Sequence, residues 1–312
     1  MSLTHNRPEL TVADLQTSRS RRARSHTVRW LFMGAAAVTV LVSALIIWTV
    51  ASEAWTFISQ VELDKLTDIG WFPRRGLFDL STLLVNTVQI SVIAMLVAVP
   101  SGFGAAIYLS EYAHPRVRKV MKPTLELLAS VPSVVLGVFA ISFITPSILS
   151  NFFDEINYFN KLAAGIAVGL LVIPLIASIA EDALRAVPLA LREASAGLGA
   201  RRVTTSIRVV LPAALSGLMA ATIVGFSRAI GETMVVTIAS GGGDTSLFNM
   251  SIRESGGTLT SAMAALGLGT DQVAGNNLAF QSLYFLGALL FAITLVLNML
   301  GDVIVRRLQN RY

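Results

Sequence analysis

The sequence predicts an all-α polytopic membrane protein with six transmembrane helices. Three observations lead there. The chain has 312 residues, 54% of them hydrophobic and only 14% charged, whereas soluble domains carry roughly a quarter charged residues. Uncharged runs long enough to cross a bilayer, which takes roughly 20 residues, recur along its length. The basic residues are crowded into alternate connecting segments, as the positive-inside rule requires of a chain that crosses repeatedly. Cysteine is absent, which excludes disulfides and thiolate metal sites. His5, His26 and His114 lie far apart in polar segments, so neither a metal site nor another bound cofactor is expected.

In chain order, the expected spans are Trp30–Ser52, Leu80–Ser110, Leu127–Phe153, Leu162–Ala180, Ala213–Ala239 and Gln272–Gly301. Of the 24 lysine and arginine residues, most fall in four segments. These are the N-terminal stretch with Arg7 to Arg29, the loop with Arg116, Arg118, Lys119 and Lys122, the loop from Arg185 to Arg208, and the end with Arg306, Arg307 and Arg311. Those segments are assigned to the cytoplasm, which puts both termini there. The net charge of +5 is thereby explained by topology and does not point to nucleic acid.

The expected organisation is a basic cytoplasmic tail over 1–29, a first helix with its outer segment over 30–82, a transmembrane domain over 83–305 and a short tail over 306–312. The first tail lacks periodicity and reads as mobile, drawn to anionic membrane lipid. Ser20-Arg21-Arg22 resembles a twin-arginine signal, but the apolar residues that should follow directly are missing. The first span is too long for a signal segment and is read as uncleaved. Outside the membrane, Trp55, Trp71 and Phe72 suit an interfacial belt. The later outer segment, Ser240–Asp271, is long enough for local structure. Its Gly241-Gly242-Gly243-Asp244 reads as a flexible loop, since no lysine follows in phosphate-loop spacing. Gly267-Leu268-Gly269 is too short a pattern for a dinucleotide fingerprint, and no nucleotide-hydrolysing motif occurs.

Within the spans, Pro100, Pro132 and Pro174 read as sites of curvature, which membrane helices tolerate. Gly165 and Gly169 allow close helix approach. Arg228 and Glu232 are the unusual pair. They lie in the otherwise apolar fifth span, where a central charge costs roughly 2.5–3.5 kcal/mol on insertion scales. Their i,i+4 spacing lets them touch. A structural ion pair is the plain alternative, but buried pairs stabilise weakly, so a place on a transport pathway is preferred.

The loop after the fourth span reads as two short helices. Pro188 suits the start of the first and Gly199 its end, where positive φ is needed. The second runs from Arg201 to Val210, ahead of Pro212. Ala194, Ser195 and Ala196 keep the first helix low enough to enter a groove. On physics alone, an amphipathic surface helix and a docking helix are equally compatible with this segment.

Glu193-Ala194-Ser195, then Gly199, then Val209-Val210-Leu211-Pro212 resembles the EAA motif of ABC importer permeases, E-A-A-x3-G-x9-I-x-L-P. Ser195 replaces the second alanine and Val209 the isoleucine. The resemblance implies the ABC type I importer permease fold. It makes the loop at 184–212 the coupling element for a separate ATPase, through Glu193, Ala194, Ser195, Gly199, Leu211 and Pro212. Three further stretches narrow the likeness: Ala106-Ile107-Tyr108-Leu109-Ser110-Glu111-Tyr112, Leu125 to Gly137, and Arg228-Ala229-Ile230-Gly231-Glu232-Thr233-Met234. Together they are similar to permeases of the phosphate-specific importer, with Gly70-Trp71-Phe72-Pro73 and Met234 favouring the PstC type over its sister PstA. That resemblance implies a PstA-like second permease, a dimer of PstB-like ATP-binding subunits and a PstS-like outer binding protein, with ATP held by the partner.

It also implies a phosphate pathway through Arg228 and Glu232. Two roles for Glu232 stay open: aiming Arg228, or accepting the proton that phosphate keeps and sulfate lacks. The rival readings are a permease for sulfate, molybdate or phosphonate, a stand-alone secondary transporter, and an intramembrane enzyme. No internal repeat supports the secondary transporter. No paired carboxylates or Ser/His set supports the enzyme.

Overall fold

A computed structural model describes residues 19–67, 70–241, 246–269 and 277–309. The chain divides into two compact units, residues 1–52 and 53–312. In the first, residues 19–52 are helical and belong to α1 (Arg19–Gln60). Its apolar side chains, among them Trp30, Leu41 and Trp48, are exposed, as suits a helix whose solvent is lipid. α1 begins well before the expected Trp30. The remainder of the basic tail, 1–18, lies outside the described residues.

The second unit is built on α2 (Leu80–Tyr112), α4 (Ser133–Asn151), α5 (Lys161–Arg185) and α11 (Asn277–Gln309), with the bent pair α7 (Arg202–Ala213) and α8 (Leu215–Ile230). Between them lie α3 (Pro115–Ala129), α6 (Leu189–Gly197), α9 (Met234–Ala239) and α10 (Leu259–Leu268). Counting the bent pair as one crossing, the described residues hold six helices long and apolar enough to span a membrane.

Short polar side chains set the helix starts. Asp79 accepts from Ser81 N at 2.9 Å and opens α2, and Asn160 accepts from Ala163 N at 2.7 Å and opens α5. Pro100 and Pro174 remain inside continuous helices. Pro132 does not: it caps α4 at φ −57° and ψ 129°. The expected third span from Leu127 therefore begins six residues later, because the residue before a proline resists helical geometry.

α5 is the most enclosed of the spans. Small residues explain how closely it packs. A Cβ on Gly165 would meet Ile93 at 2.6 Å, and one on Gly169 would meet Val97 at 2.8 Å and the Ala94 carbonyl at 2.9 Å. The expected close-approach step thus seats α5 against α2. In a membrane, where lipid competes equally for apolar surface, such backbone proximity is the main source of helix association.

The segments expected outside the membrane carry structure that periodicity did not reveal. Strands β1 (Gly70–Phe72), β2 (Leu77–Phe78) and β3 (Ser246–Leu247) form an antiparallel sheet ordered β2-β1-β3, with Trp71 opposite both Phe78 and Ser246. Trp71 is fully buried beside Phe57, Phe78, Leu259 and Leu266, whereas Trp55 is exposed. The Trp71 ring therefore fills a core instead of joining an interfacial belt. α10 is opened by a capping box between Thr258 and Ser261. Of the glycine run, Gly241 has φ +65° and bridges to Gly256, while Gly242, Gly243 and Asp244 lie outside the described residues.

Candidate functional site: a broken span and a short helix pair

The fifth span is interrupted where the charged pair lies. α8 ends at Ile230, and after Gly231, Glu232 and Thr233 the chain resumes as α9. A continuous helix over Ala213–Ala239 was expected. The chain instead bends by 69° between α7 and α8 and breaks again at Gly231. Local chemistry explains the second break. Glycine favours helix least of the ordinary residues. The Glu232 carboxylate also accepts from Val235 N through Oε1 at 3.4 Å, standing in for the backbone bond α9 would otherwise lack.

Arg228 and Glu232 meet as expected, Nη1 to Oε2 at 2.6 Å, although the helix ends between them at Ile230. Their environments differ. The Glu232 side chain is 4% exposed and that of Arg228 is 46% exposed. The cation sits in the last turn of α8 and the anion at the start of α9, so each charge faces the helix end whose dipole favours it. Behind the break, Thr260 Oγ1 donates to the Glu232 carbonyl at 2.8 Å and lies 3.0 Å from Thr258 Oγ1. Ser227 Oγ donates to Asn298 Oδ1 at 3.0 Å, joining α8 to α11. The result is a half-exposed guanidinium held from behind by a buried carboxylate, with donor groups left to meet an anion.

The second set of expected residues lies on α6 and α7. Pro188 caps α6 and Gly199 follows its end at φ +78°. Glu193, Ala194 and Gly199 are exposed, and Leu198 is 89% exposed. Ser195 is buried, with its hydroxyl 2.9 Å from Thr205 Oγ1 on α7. The bond fastens the two helices across the Gly199 turn. Leu211 packs against the buried cluster of Leu184, Val187, Val210 and Leu218, and Pro212 precedes the bend into α8. Ser195→Ala alone should lower thermal stability, because it leaves Thr205 with a buried unpaired hydroxyl, a cost of about 1–3 kcal/mol. Ser195→Ala with Thr205→Val should recover most of the loss, and a melting comparison in detergent checks both.

Sequence reasoning missed the polar framework around this helix pair. Glu181, 1% exposed, accepts from Arg118 Nη2 at 2.7 Å and Lys122 Nζ at 2.9 Å, with Arg185 at 3.7 Å. The bond to Glu181, then the bond to Asp182, raises the Lys122 pKa above its ordinary value. Glu111, 8% exposed, accepts from Arg192 at 3.0 Å. Taken along the chain alone, these basic residues read as topology signals. The partners of Arg118 and Arg192 lie 63 and 81 positions away in sequence, and no spacing rule reaches that far.

Solved structures define the fold. An ABC transporter importing the acidic polysaccharide alginate aligns with a TM-score of 0.62 over 92% of this chain and 99% of that one, at 16% identity. The methionine transporter MetNI, in an inward-facing conformation, aligns at 0.55 over 72% and 93%, at 20% identity. The fold is that of ABC importer permeases. Residues 98–312 match the family described as "Binding-protein-dependent transport system inner membrane component", and this chain belongs to it. It is thus a multi-pass inner-membrane permease component. Its relatives include the probable ABC transporter permease protein YqgH of Bacillus subtilis, 27% identical over 99% of both chains. They also include the phosphate transport system permease protein PstC of Mesorhizobium japonicum, 30% identical over 83% of each. PstC 1 of Mycobacterium tuberculosis is 31% identical over 78% of this chain and 77% of that one.

Proposed function

We propose that this chain is the permease subunit of an ATP-driven importer of inorganic phosphate. The Arg228–Glu232 pair at the broken span carries the reading on the structural side, and the likeness to PstC permeases supports the choice of ion. Phosphate near neutral pH carries between one and two negative charges. A guanidinium offers it a planar fork of N–H donors and cannot lose its charge. One Nη bonds Glu232, and the exposed remainder of the fork is available to the travelling ion.

In this reading, an outer binding protein of the PstS kind delivers phosphate to the outer mouth. A second, PstA-like permease completes the pathway, and a dimer of PstB-like subunits binds and hydrolyses ATP. Both termini lie in the cytoplasm. The ATPase grips α6 through the surface of Glu193 and Ala194. Ser195 and Gly199 set the shape of the helix pair, and Leu211 and Pro212 pass its displacement to α8. ATP drives the switch between inward and outward access by binding one state better than the other.

Of the two roles open to Glu232, the geometry favours aiming Arg228, since both carboxylate oxygens are engaged, one by Arg228 and one by Val235 N. Glu232→Gln is then expected to slow phosphate uptake while leaving the preference for phosphate over sulfate unchanged. Loss of that preference would assign the carboxylate to reading phosphate's proton. Competition by unlabelled oxyanions tests the cargo itself: phosphate should suppress labelled phosphate uptake, and equal suppression by sulfate or molybdate would reassign the substrate.

A further inference from the structure

Arg192 neighbours Glu193 on α6 but has a different surrounding. Glu193 is exposed, while the Arg192 side chain is 22% exposed and spends its donors inward. Nη1 donates to the Val187 carbonyl at 2.9 Å. Nη2 donates to the Leu184 carbonyl at 2.8 Å and to Glu111 Oε1 at 3.0 Å. Leu184 is in the last turn of α5 and Val187 lies just past it, where carbonyls have no partner within the helix. Glu111 sits in the widened, π-helical turn that closes α2. A single guanidinium therefore holds α6, the cytoplasmic end of α5 and that of α2.

We propose that Arg192 is a positioning residue for transport. It makes the coupling helix and the ends of α2 and α5 one rigid body, so that a push on α6 moves the bundle without slack. This inference rests on the coupling role given to α6 above. Three lines of geometry support it. The three acceptors lie on α2, on the last turn of α5 and on the link from α5 to α6, and a planar fork with five N–H groups suits such a set better than the point charge of a lysine. Glu111 is buried, so its bond to Arg192 is shielded from competing water and salt. α2 and α5 are already seated on each other through Gly165 and Gly169, which leaves α6 as the piece that needs fastening.

The test uses the complete importer, with ATPase and binding protein, in proteoliposomes, and reads phosphate taken up per ATP hydrolysed. Glu111→Gln, which weakens one charge-assisted hydrogen bond, should lower that ratio by about tenfold, and Arg192→Gln, which removes all three bonds of the guanidinium, by at least as much. Arg192→Lys should fall between them and the unaltered chain. Because this chain has no cysteine, Glu111→Cys with Arg192→Cys places its only two thiols at the clamp, and a short bifunctional thiol reagent can join them, with the importer bearing the unaltered chain treated in parallel as the control. Joining the two should restore the ratio, which a residue needed only for folding would not do. A cross-link that freezes uptake means α6 must slide against α2, and overturns the proposal, as does an unchanged ratio in Arg192→Gln and Glu111→Gln. Gly199→Val separates the two readings. If it lowers the ratio while the Arg192 and Glu111 variants do not, only the clamp falls. If none of them lowers it, the coupling role of α6 falls with it.

Discussion

Arg228→Ala is expected to reduce cellular accumulation of radiolabelled orthophosphate by about 100-fold or more. Hydrogen bonds to charged groups contribute about 1.5–3 kcal/mol each, and two of them account for a factor of that size. The variant also strands Glu232, a carboxylate only 4% exposed, and orphaned buried charges destabilise in their own right. Arg228→Ala combined with Glu232→Gln removes that complication. If the pair merely pins the helix break, the double variant should regain uptake, since nothing charged is left unpaired. If Arg228 meets the ion, the double variant should stay inactive although the complex assembles. Normal uptake by Arg228→Ala would end the pathway reading.

Gly199→Val is expected to abolish uptake while ATP is still hydrolysed by the assembled complex. The cause is conformational and not steric. A Cβ at Gly199 would find no heavy atom within 4 Å, but the backbone sits at φ +78°. A β-branched residue held in that region costs on the order of 1–3 kcal/mol, and the cheaper outcome is a rearranged turn between α6 and α7. Ser195 would then no longer meet Thr205, and the surface offered by Glu193 and Ala194 would tilt. Gly199→Asn is the control, because asparagine tolerates left-handed geometry better than other side chains. It should keep most of the uptake, and failure of both variants alike would point to a contact at this position instead of its backbone shape.

Several features were legible in the sequence because they depend on residues close together in the chain. Hydropathy located the crossings, since each span must satisfy its own backbone within lipid. Pro188 and Gly199 bracketed α6, since helix ends are set by neighbouring φ preferences. The i,i+4 spacing was enough to place Arg228 on Glu232. Elsewhere a local signal existed but was outweighed. Gly231 and Glu232 break the fifth span, although mean apolarity favoured one continuous helix. Trp71 has the side chain of an interfacial residue, yet the pairing of β1 with β2 and β3 turns it into a core.

The sequence by itself determined that this is a multi-span membrane protein, and which short segment folds as a helix pair bearing the EAA-like spacing. Both follow from the cost of placing polar groups in lipid and from fixed spacings along one chain. Only the tertiary structure decided that Glu232 is buried while Arg228 stays accessible, that Thr260 supports the break from behind, and that Arg192 reaches Glu111. These bonds join residues whose proximity depends on how closely α2, α5 and α8 approach. That approach is set by glycines meeting the side chains of a different helix, information that no single stretch of the chain contains.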